Sequence, residues 1–568
     1  MNIIARAEIL FHLARWRATW SKHDLDYVPK GLDNPRFMSA RDAVEMIPDG
    51  ACCFSNGMAA NARCQIYFWG IRDRFDRTGH PEGLTWITIG AQGSRGKVPG
   101  TLEELGVPGL VTLWIGGHLE TVKTFLKLAE AGEMEIHRMA QGMMAFLLEA
   151  QIRGEDSIVS KTGVGTLLDP RVDNGTPVVK GKGESFTTAE GDMLRYRLPK
   201  VEYAIFNAPY ADAEGNIYKL NAATITEDME SSKAAIKNGG KVLACVADVI
   251  PKSEKDIFIP ADMVDAIVVN PYNEQTGSVP QRRYWKMFTE GADVDVHDAV
   301  DRLKFANRLL GITPKRGPVD NAMARMAANL FTRVARPGSY VNIGVGLPEE
   351  VSRLIYEGGL SKDVTYVVET GILGGLPSMG VFFGSSIDPE KIVPSAETFH
   401  LCYEKLDVTI LGLLQADSQG NINVSKRGEG PINYVGPGGL PDLAAAAKTV
   451  IFVGSWMAHA EMTIDDGKLK IAKTGKPKFV AQVDEITFNG SEALKAGKDV
   501  YYCTNVGIFH LTERGMELIE VMPGVDVKKD IAAACPMEFL LPESGEVAQV
   551  PHDIVTGEAF KLMWRDAS

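Results

Sequence analysis

The chain has 568 residues and a mass of 61.8 kDa, with 45% hydrophobic and 23% charged residues, the balance of a soluble globular protein long enough for several domains. Against 73 Asp and Glu stand 60 Lys and Arg, a net charge of −13, which excludes the basic stripe of a duplex binder or a polybasic membrane binder. Seven scattered cysteines without a CxxC pair point to a reducing, cytoplasmic location; ten histidines without HExxH spacing point away from a metal, and no apolar run reaches the ~20 residues of a membrane span.

In chain order, Ile3, Ala7, Leu10 and Ala14 share one helical face and predict a helix docked on the body of the protein. Cys52 and Cys53 adjoin a strand and read as two buried small apolar residues. GAQGSRG (90–96) reads as a surface loop, His118 as a core histidine, and the stretch from His118 to Ile152 as helical. Strands follow at 201–208 and 241–250, and a Pro/Gly-rich join at 311–318 lies between two helical stretches. Beyond it, NIGVGLPEEV (342–351) predicts a strand, a Gly-x-Gly turn and a helix opening at Pro348, whose free N–H groups suit a bound anion. Strands at 364–368, 407–414 and 448–454 come next, with GPGG (436–439) leading into a short helix over PDLAAAA; His459 reads as another core histidine. Apolar strands alternating with amphipathic helices make this an α/β chain with largely parallel sheets.

An internal repeat organises these elements. VEYAIFNAPYADAEGNIY, from Val201, aligns without a gap on LDVTILGLLQADSQGNIN, from Leu406, so that Asn216 matches Asn421 (421 − 216 = 205). KVLACVADVI at Lys241 then matches KFVAQVDEI at Lys478, 237 residues on, and places about 32 extra residues in the second copy, among them a DDGKLKIAKTGK hairpin. Upstream, KTGVGT at Lys161 matches ETGILG at Glu369. A period this long means a tandem duplication: two related lobes, residues 1–312 with a helical extension over 1–40, and residues 319–568, with the ligand site in the cleft between them.

Within this frame Glu369 stands out, a carboxylate at the end of a strand and followed by Gly-rich backbone that a large ligand can approach. A Glu at a strand end bonding turn amides is the plainer reading. The chain has no GxxxxGK[ST] and no GxSxG, which disfavours a phosphate-loop ATPase and a serine hydrolase of the usual type.

Taken together, DGACCFSNGMAANA, GAQGSRG, WIGGH, MAQGMMAF, KTGVGTLLDPR, NIGVGLPEEV, ETGILGGLP, ADSQGNINVSK, GPGG and DEITFNG, in this order over roughly residues 40–530, make the chain similar to the family I coenzyme A transferases, in their single-chain propionate and acetate branch. The resemblance implies that Glu369 is the catalytic glutamate, acylated first and then carrying CoA as a thioester. It implies that Gln141 donates to the reacting carbonyl oxygen and that a backbone N–H of the Gly436–Gly439 loop, Gly438 foremost, completes the oxyanion site. Gly344, Val345, Gly346 and Leu347 would lie along CoA, with Gly436 and Gly439 beside it; CoA would be substrate and covalent intermediate, with no resident cofactor or metal. A homodimer or homotetramer acting on acyl-CoA and small carboxylic acids is the family habit. An acyl-CoA hydrolase using the same Glu is the alternative activity. This chain departs from the branch at Leu440-Pro441, where an aromatic usually follows Gly-Gly, and at SWMAHA, which would put Trp456 and His459 near CoA.

Overall fold

The computed structural model describes residues 1–58, 61–93, 98–273, 285–311 and 315–565. Largely buried segments, most of them rich in Val, Ile, Leu and aromatic residues, form the strands β1 (Cys52–Ser55), β2 (Leu84–Thr88), β3 (Val111–Gly116), β4 (Glu135–Arg138), β5 (Tyr203–Ala211), β6 (Lys241–Val249) and β7 (Ala266–Val269). They pair in parallel in the order β7-β6-β5-β1-β2-β3-β4. A second sheet has a parallel centre of β8 (Tyr340–Ile343), β9 (Thr365–Val368), β10 (Leu406–Gly412), β11 (Thr449–Val453) and β12 (Asp499–Cys503), in the order β9-β8-β10-β11-β12. Antiparallel strands extend it at both edges. Helices flank both sheets, so the α/β architecture with parallel sheets holds.

The duplication is visible in the strand order, with two corrections. β6-β5-β1-β2 is repeated in order and direction by β11-β10-β8-β9. Cys53 pairs with both Tyr203 and Trp86, as Val341 pairs with both Val408 and Tyr366. Trp86 and Tyr366 are therefore equivalent, and the residue matching Glu369, three further on, is Ile89. The match with Lys161 fails: that lysine follows a strand of a separate three-stranded antiparallel sheet and forms an exposed ion pair with Asp192 at 3.2 Å. Likewise β6 is matched by β11, since Lys241 pairs with Tyr203 as Thr449 pairs with Val408. Residues 478–486 form no strand, and the insertion, with its hairpin Glu461–Asp465 and Lys468–Lys473, lies between β11 and β12. A short apolar match in sequence cannot tell which strand pairs with which; the ladder can.

The turns that carried the repeat are structural. Asp212 accepts the N–H groups of Glu214, Gly215 and Asn216, while Asp417 accepts those of Gln419 and Asn421. Each carboxylate thus ties its turn down, which is why Ala-Asp-x-x-Gly-Asn recurs.

Three further expectations are corrected. The first helix exists (Ile3–Thr19, capped by Asn2), but its buried seam is Ala5, Ile9, Leu13 and Trp16; Ile3 and Leu10 are 82% and 49% exposed. Burying Trp16 removes more apolar surface than any alanine of the alternative stripe, so the helix turns that face inward. The stretch from His118 to Ile152 is two helices, Lys123–Glu130 and Gln141–Arg153, separated by β4, which the sheet recruits after the turn at Gly132. Of GAQGSRG, Ala91, Gln92 and Gly93 are buried rather than on the surface, and 94–96 lie outside the described residues, as do 312–314 of the join. The seven cysteines are free and buried.

Three adjacent acids, Glu227, Asp228 and Glu230, are buried at the start of the helix Asp228–Lys237. Burial pushes Glu227 up to about 7, with the Ser395 hydroxyl pulling the other way, and Glu230 up to about 8. Because these values lie above the ordinary carboxylate range, the stabilisation supplied by their protons is complete below about pH 4 and is lost as pH rises through about 7 to 8. Glu230→Gln, neutral at every pH, is expected to stabilise the protein at pH 8.5 by on the order of 2–4 kcal/mol and to change little at pH 4; urea unfolding at the two pH values checks this.

Candidate active site

A cavity of about 350 Å³ opens where the carboxyl ends of the two parallel sheets face each other. The first half contributes Met58 after β1, Ala91 after β2, His118 after β3 and Gln141 after β4. From the second half come Gly344 and Val345 after β8, Glu369 after β9 and Leu411–Leu414 at the end of β10, and the Gly436–Gly439 loop closes one side.

Glu369 meets the cavity directly after the last residue of β9. Its Oε2 lies 3.4 Å from the Asn342 amide, itself held by the Val367 carbonyl and the Thr409 hydroxyl. Burial raises its pKa, and its own backbone N–H and Asn342 lower it by less. No ion pair to it is formed among the described residues. One oxygen of this half-buried carboxylate is thus held by a neutral amide, and the other lies toward Gly439 and Gln141: a Cβ built on Gly439 would lie 3.3 Å from Glu369 Oε1 and 3.0 Å from Gln141 Oε1.

The structure brings Gln141 to this point but engages its amide protons, since Nε2 donates to Ile89 O and to His118 Nδ1, both at 3.0 Å. An amide nitrogen cannot accept, so His118 Nδ1 carries no proton in this arrangement. His118 lines the cavity instead of packing in a core. His459 is exposed at φ +60°, and Trp456 is buried between Phe479 and Phe509, away from the cavity wall.

The glycine loop is clamped to the first half. Leu119 N–H donates to Val435 O at 2.8 Å, Gly438 N–H to Gly117 O at 3.0 Å, and Gln141 N–H to Gly438 O at 3.3 Å. Gly436, at φ +91°, approaches so closely that a Cβ would fall 2.4 Å from Gly117 O. The Gly438 N–H, the donor the resemblance implies, is engaged here in the contact between the halves. Gly436 N–H faces Ser425 O, Pro437 has no N–H, and the Gly439 amide is the one in the loop without an acceptor among the described residues. Gly346 and Leu347 sit in the turn after β8 but off the cavity wall, unlike Gly344 and Val345.

Sequence reasoning passed over Asn342, His118 and Asp442 as chemistry, although all three lie in motifs it quoted. The available signal was position: Asn342 just inside a strand end, His118 just beyond one, and Asp442 in the first turn of the helix that follows the glycine loop. Among the described residues, no group of three or more His, Cys, Asp and Glu is placed to hold a metal, and no helix is long and apolar enough to cross a membrane.

An α/β fold duplicated about a cleft, with a carboxylate nucleophile candidate and backbone donors in that cleft, is the arrangement of a CoA-transferase. No family model matches the chain. It is 32% identical to a caffeate CoA-transferase of Acetobacterium woodii over 87% of this chain and 93% of that protein, and 31% identical to the acetate CoA-transferase YdiF of Escherichia coli strain K12 over 87% and 90%. The crystal structure of the acyl-CoA transferase YdiF apoenzyme from Escherichia coli O157:H7 superposes with a TM-score of 0.80 at 27% identity, covering 93% of this chain and 98% of that one. The thioester complex of that enzyme with CoA gives 0.79, covering 91% and 95%. The chain belongs to the family I coenzyme A transferases, in the single-chain propionate and acetate branch.

Proposed function

We propose that this enzyme moves CoA from an acyl-CoA to a free carboxylic acid by a ping-pong route on Glu369. The observation that carries the reading is a carboxylate at a strand end, on the wall of the cavity between the halves, bonded to a neutral amide and not to a cation. An ionised carboxylate needs no partner base to attack a thioester carbonyl. Attack forms the acyl-glutamyl anhydride and expels the CoA thiolate. The thiolate then attacks the Glu369 carbonyl carbon, releasing the first acid and leaving glutamyl-CoA, and a second carboxylate reverses both steps. Negative charge on the carbonyl oxygen is met by the Gly439 amide and by Gln141, which exchanges its bond to His118 for the developing oxyanion; one such donor typically lowers the barrier by ~2.7–4 kcal/mol. Gly344 and Val345 lie along CoA, and the apolar wall with Met58 and Phe383 keeps water from the anhydride and thioester.

The reading extends to a homodimer or homotetramer working in the cytoplasm, and to lobes divided between residues 312 and 319. Incubation with a panel of acyl-CoAs, proteolysis and mass spectrometry should find the mass of CoA on the peptide containing ETGILGG, removed by hydroxylamine. An adduct elsewhere, or none with any donor, sinks the covalent route. CoA release at the same rate with and without an acceptor acid would instead make the enzyme an acyl-CoA hydrolase.

A further inference from the structure

The helix Gln141–Arg153 starts without a cap of its own: Ala140 at the N-cap position offers no side-chain bond, and the first turn has no acid. Its free amides are met by a residue 300 positions away. Asp442, fully buried, accepts the Gly142 N–H on Oδ2 at 2.8 Å. Its Oδ1 accepts from the Tyr403 hydroxyl at 3.3 Å, and that hydroxyl also bonds Thr162 Oγ1 at 2.6 Å. The approach requires glycine at 142, where a Cβ would fall 2.7 Å from Asp442 Cγ and Oδ1.

Asp442 stands in the first turn of the helix Leu440–Ala446, whose N-cap is Gly439. Through its backbone it is thus rigidly continuous with the loop beside Glu369, and through its carboxylate it grips the helix that begins with Gln141. Burial pushes this carboxyl up to about 7, against the pull of the Gly142 N–H and Tyr403, so the protein holds an acid here at a cost that a purely apolar contact would avoid.

We propose that Asp442 is a positioning residue: a cap supplied by one half of the protein to a helix of the other, which sets Gln141 in register with Gly439 and so assembles the two donors around the carbonyl attacked by Glu369. The inference rests on the CoA-transfer reading. Asparagine in its place can still accept from Gly142 and donate to Tyr403, whereas alanine leaves the helix start uncapped and the two donors free to drift apart. A displacement of about 1 Å at a reacting centre costs on the order of 100-fold in rate.

The test is steady-state kinetics on Asp442→Ala, Asp442→Asn and Gly142→Ala, with thermal unfolding of each variant and Glu369→Gln measured alongside. The expected result for Asp442→Ala is kcat lower by about 100-fold with the KM for acyl-CoA unchanged, because the Gly344–Val345 turn is untouched. Asp442→Asn should recover most of that rate. Gly142→Ala, which pushes on the same contact from the other side, should lose kcat in the same selective way, and it decides the matter if Asp442→Ala does not fold. Full kcat in the alanine variants, or an asparagine variant as slow as alanine, overturns the proposal. Turnover retained by Glu369→Gln would overturn the CoA-transfer reading itself, whatever the outcome at 442.

Discussion

Glu369→Ala and Glu369→Gln are each expected to lower CoA transfer by at least about 10⁴-fold while leaving the thermal transition close to that of the unaltered protein. The size follows from the role: an enzyme deprived of its nucleophile keeps only what binding and the oxyanion donors supply. Folding should survive because the side chain makes one long bond to Asn342 and no ion pair among the described residues. Glutamine is the sharper probe, since it keeps the shape and the bond to Asn342 and removes only the charge. Glu369→Asp keeps the charge but withdraws it by one methylene from the Gly439 and Gln141 side of the cavity, and should lose on the order of 100-fold. In the unaltered enzyme the rate should fall as pH drops through the pKa of Glu369, and burial moves that acid limb above the ordinary carboxylate range. Acceptor-dependent formation of the acceptor's CoA thioester from an acyl-CoA reads all three variants; a glutamine variant within tenfold of the original would refute the assignment.

Arg138→Met is expected to have the largest effect on stability. Arg138 ends β4 and is buried, with Nη2 on Asp173 at 2.8 Å and on Leu167 O at 3.1 Å, and Nε on Gly175 O at 3.0 Å. Its Nη1 reaches the second half, bonding Glu485 and the Tyr434 hydroxyl, and Glu485 in turn accepts from Tyr434 and Ser425. Removing the guanidinium strands the buried Glu485 charge, a loss of about 3–5 kcal/mol for pairs of this kind. Glu485→Gln in the same chain should return part of it, because the stranded charge is then gone. Urea unfolding of the single and double variants measures both. Gln141 follows Arg138 by three residues, so a fall in kcat should accompany the loss of stability. An unchanged unfolding midpoint would mean that the network contributes nothing to holding the halves together.

Much of this was legible before the fold was seen, for identifiable reasons. The apolar strands from Val201 and from Leu406 carry the same turn, Ala-Asp-x-x-Gly-Asn, because each aspartate must tie its own loop, a local requirement written locally. Glu369 was legible because it stands directly after a strand and before glycines. Other expectations failed where distant pairing decides. Lys161 matched Glu369 as text, yet its strand belongs to another sheet. Met-Glu-Ile-His-Arg-Met reads as helix by itself and is drawn into β4 by its neighbour β3. Gly438 stands in a glycine loop, and only the fold shows that its N–H meets Gly117 of the other half.

The sequence by itself determined the duplicated α/β plan, the family, and the carboxylate poised at a strand end, because strand periodicity, turn chemistry and glycine tolerance act within a few residues of one another. Only the tertiary structure decided which amides of the glycine loop find acceptors, that the Gln141 side-chain amide is held by Ile89 and His118, and that Asp442 caps a helix begun 300 residues earlier. Those outcomes depend on the facing of two sheets and on which buried polar groups find each other across it, a matter of packing in three dimensions that no short stretch of the chain encodes.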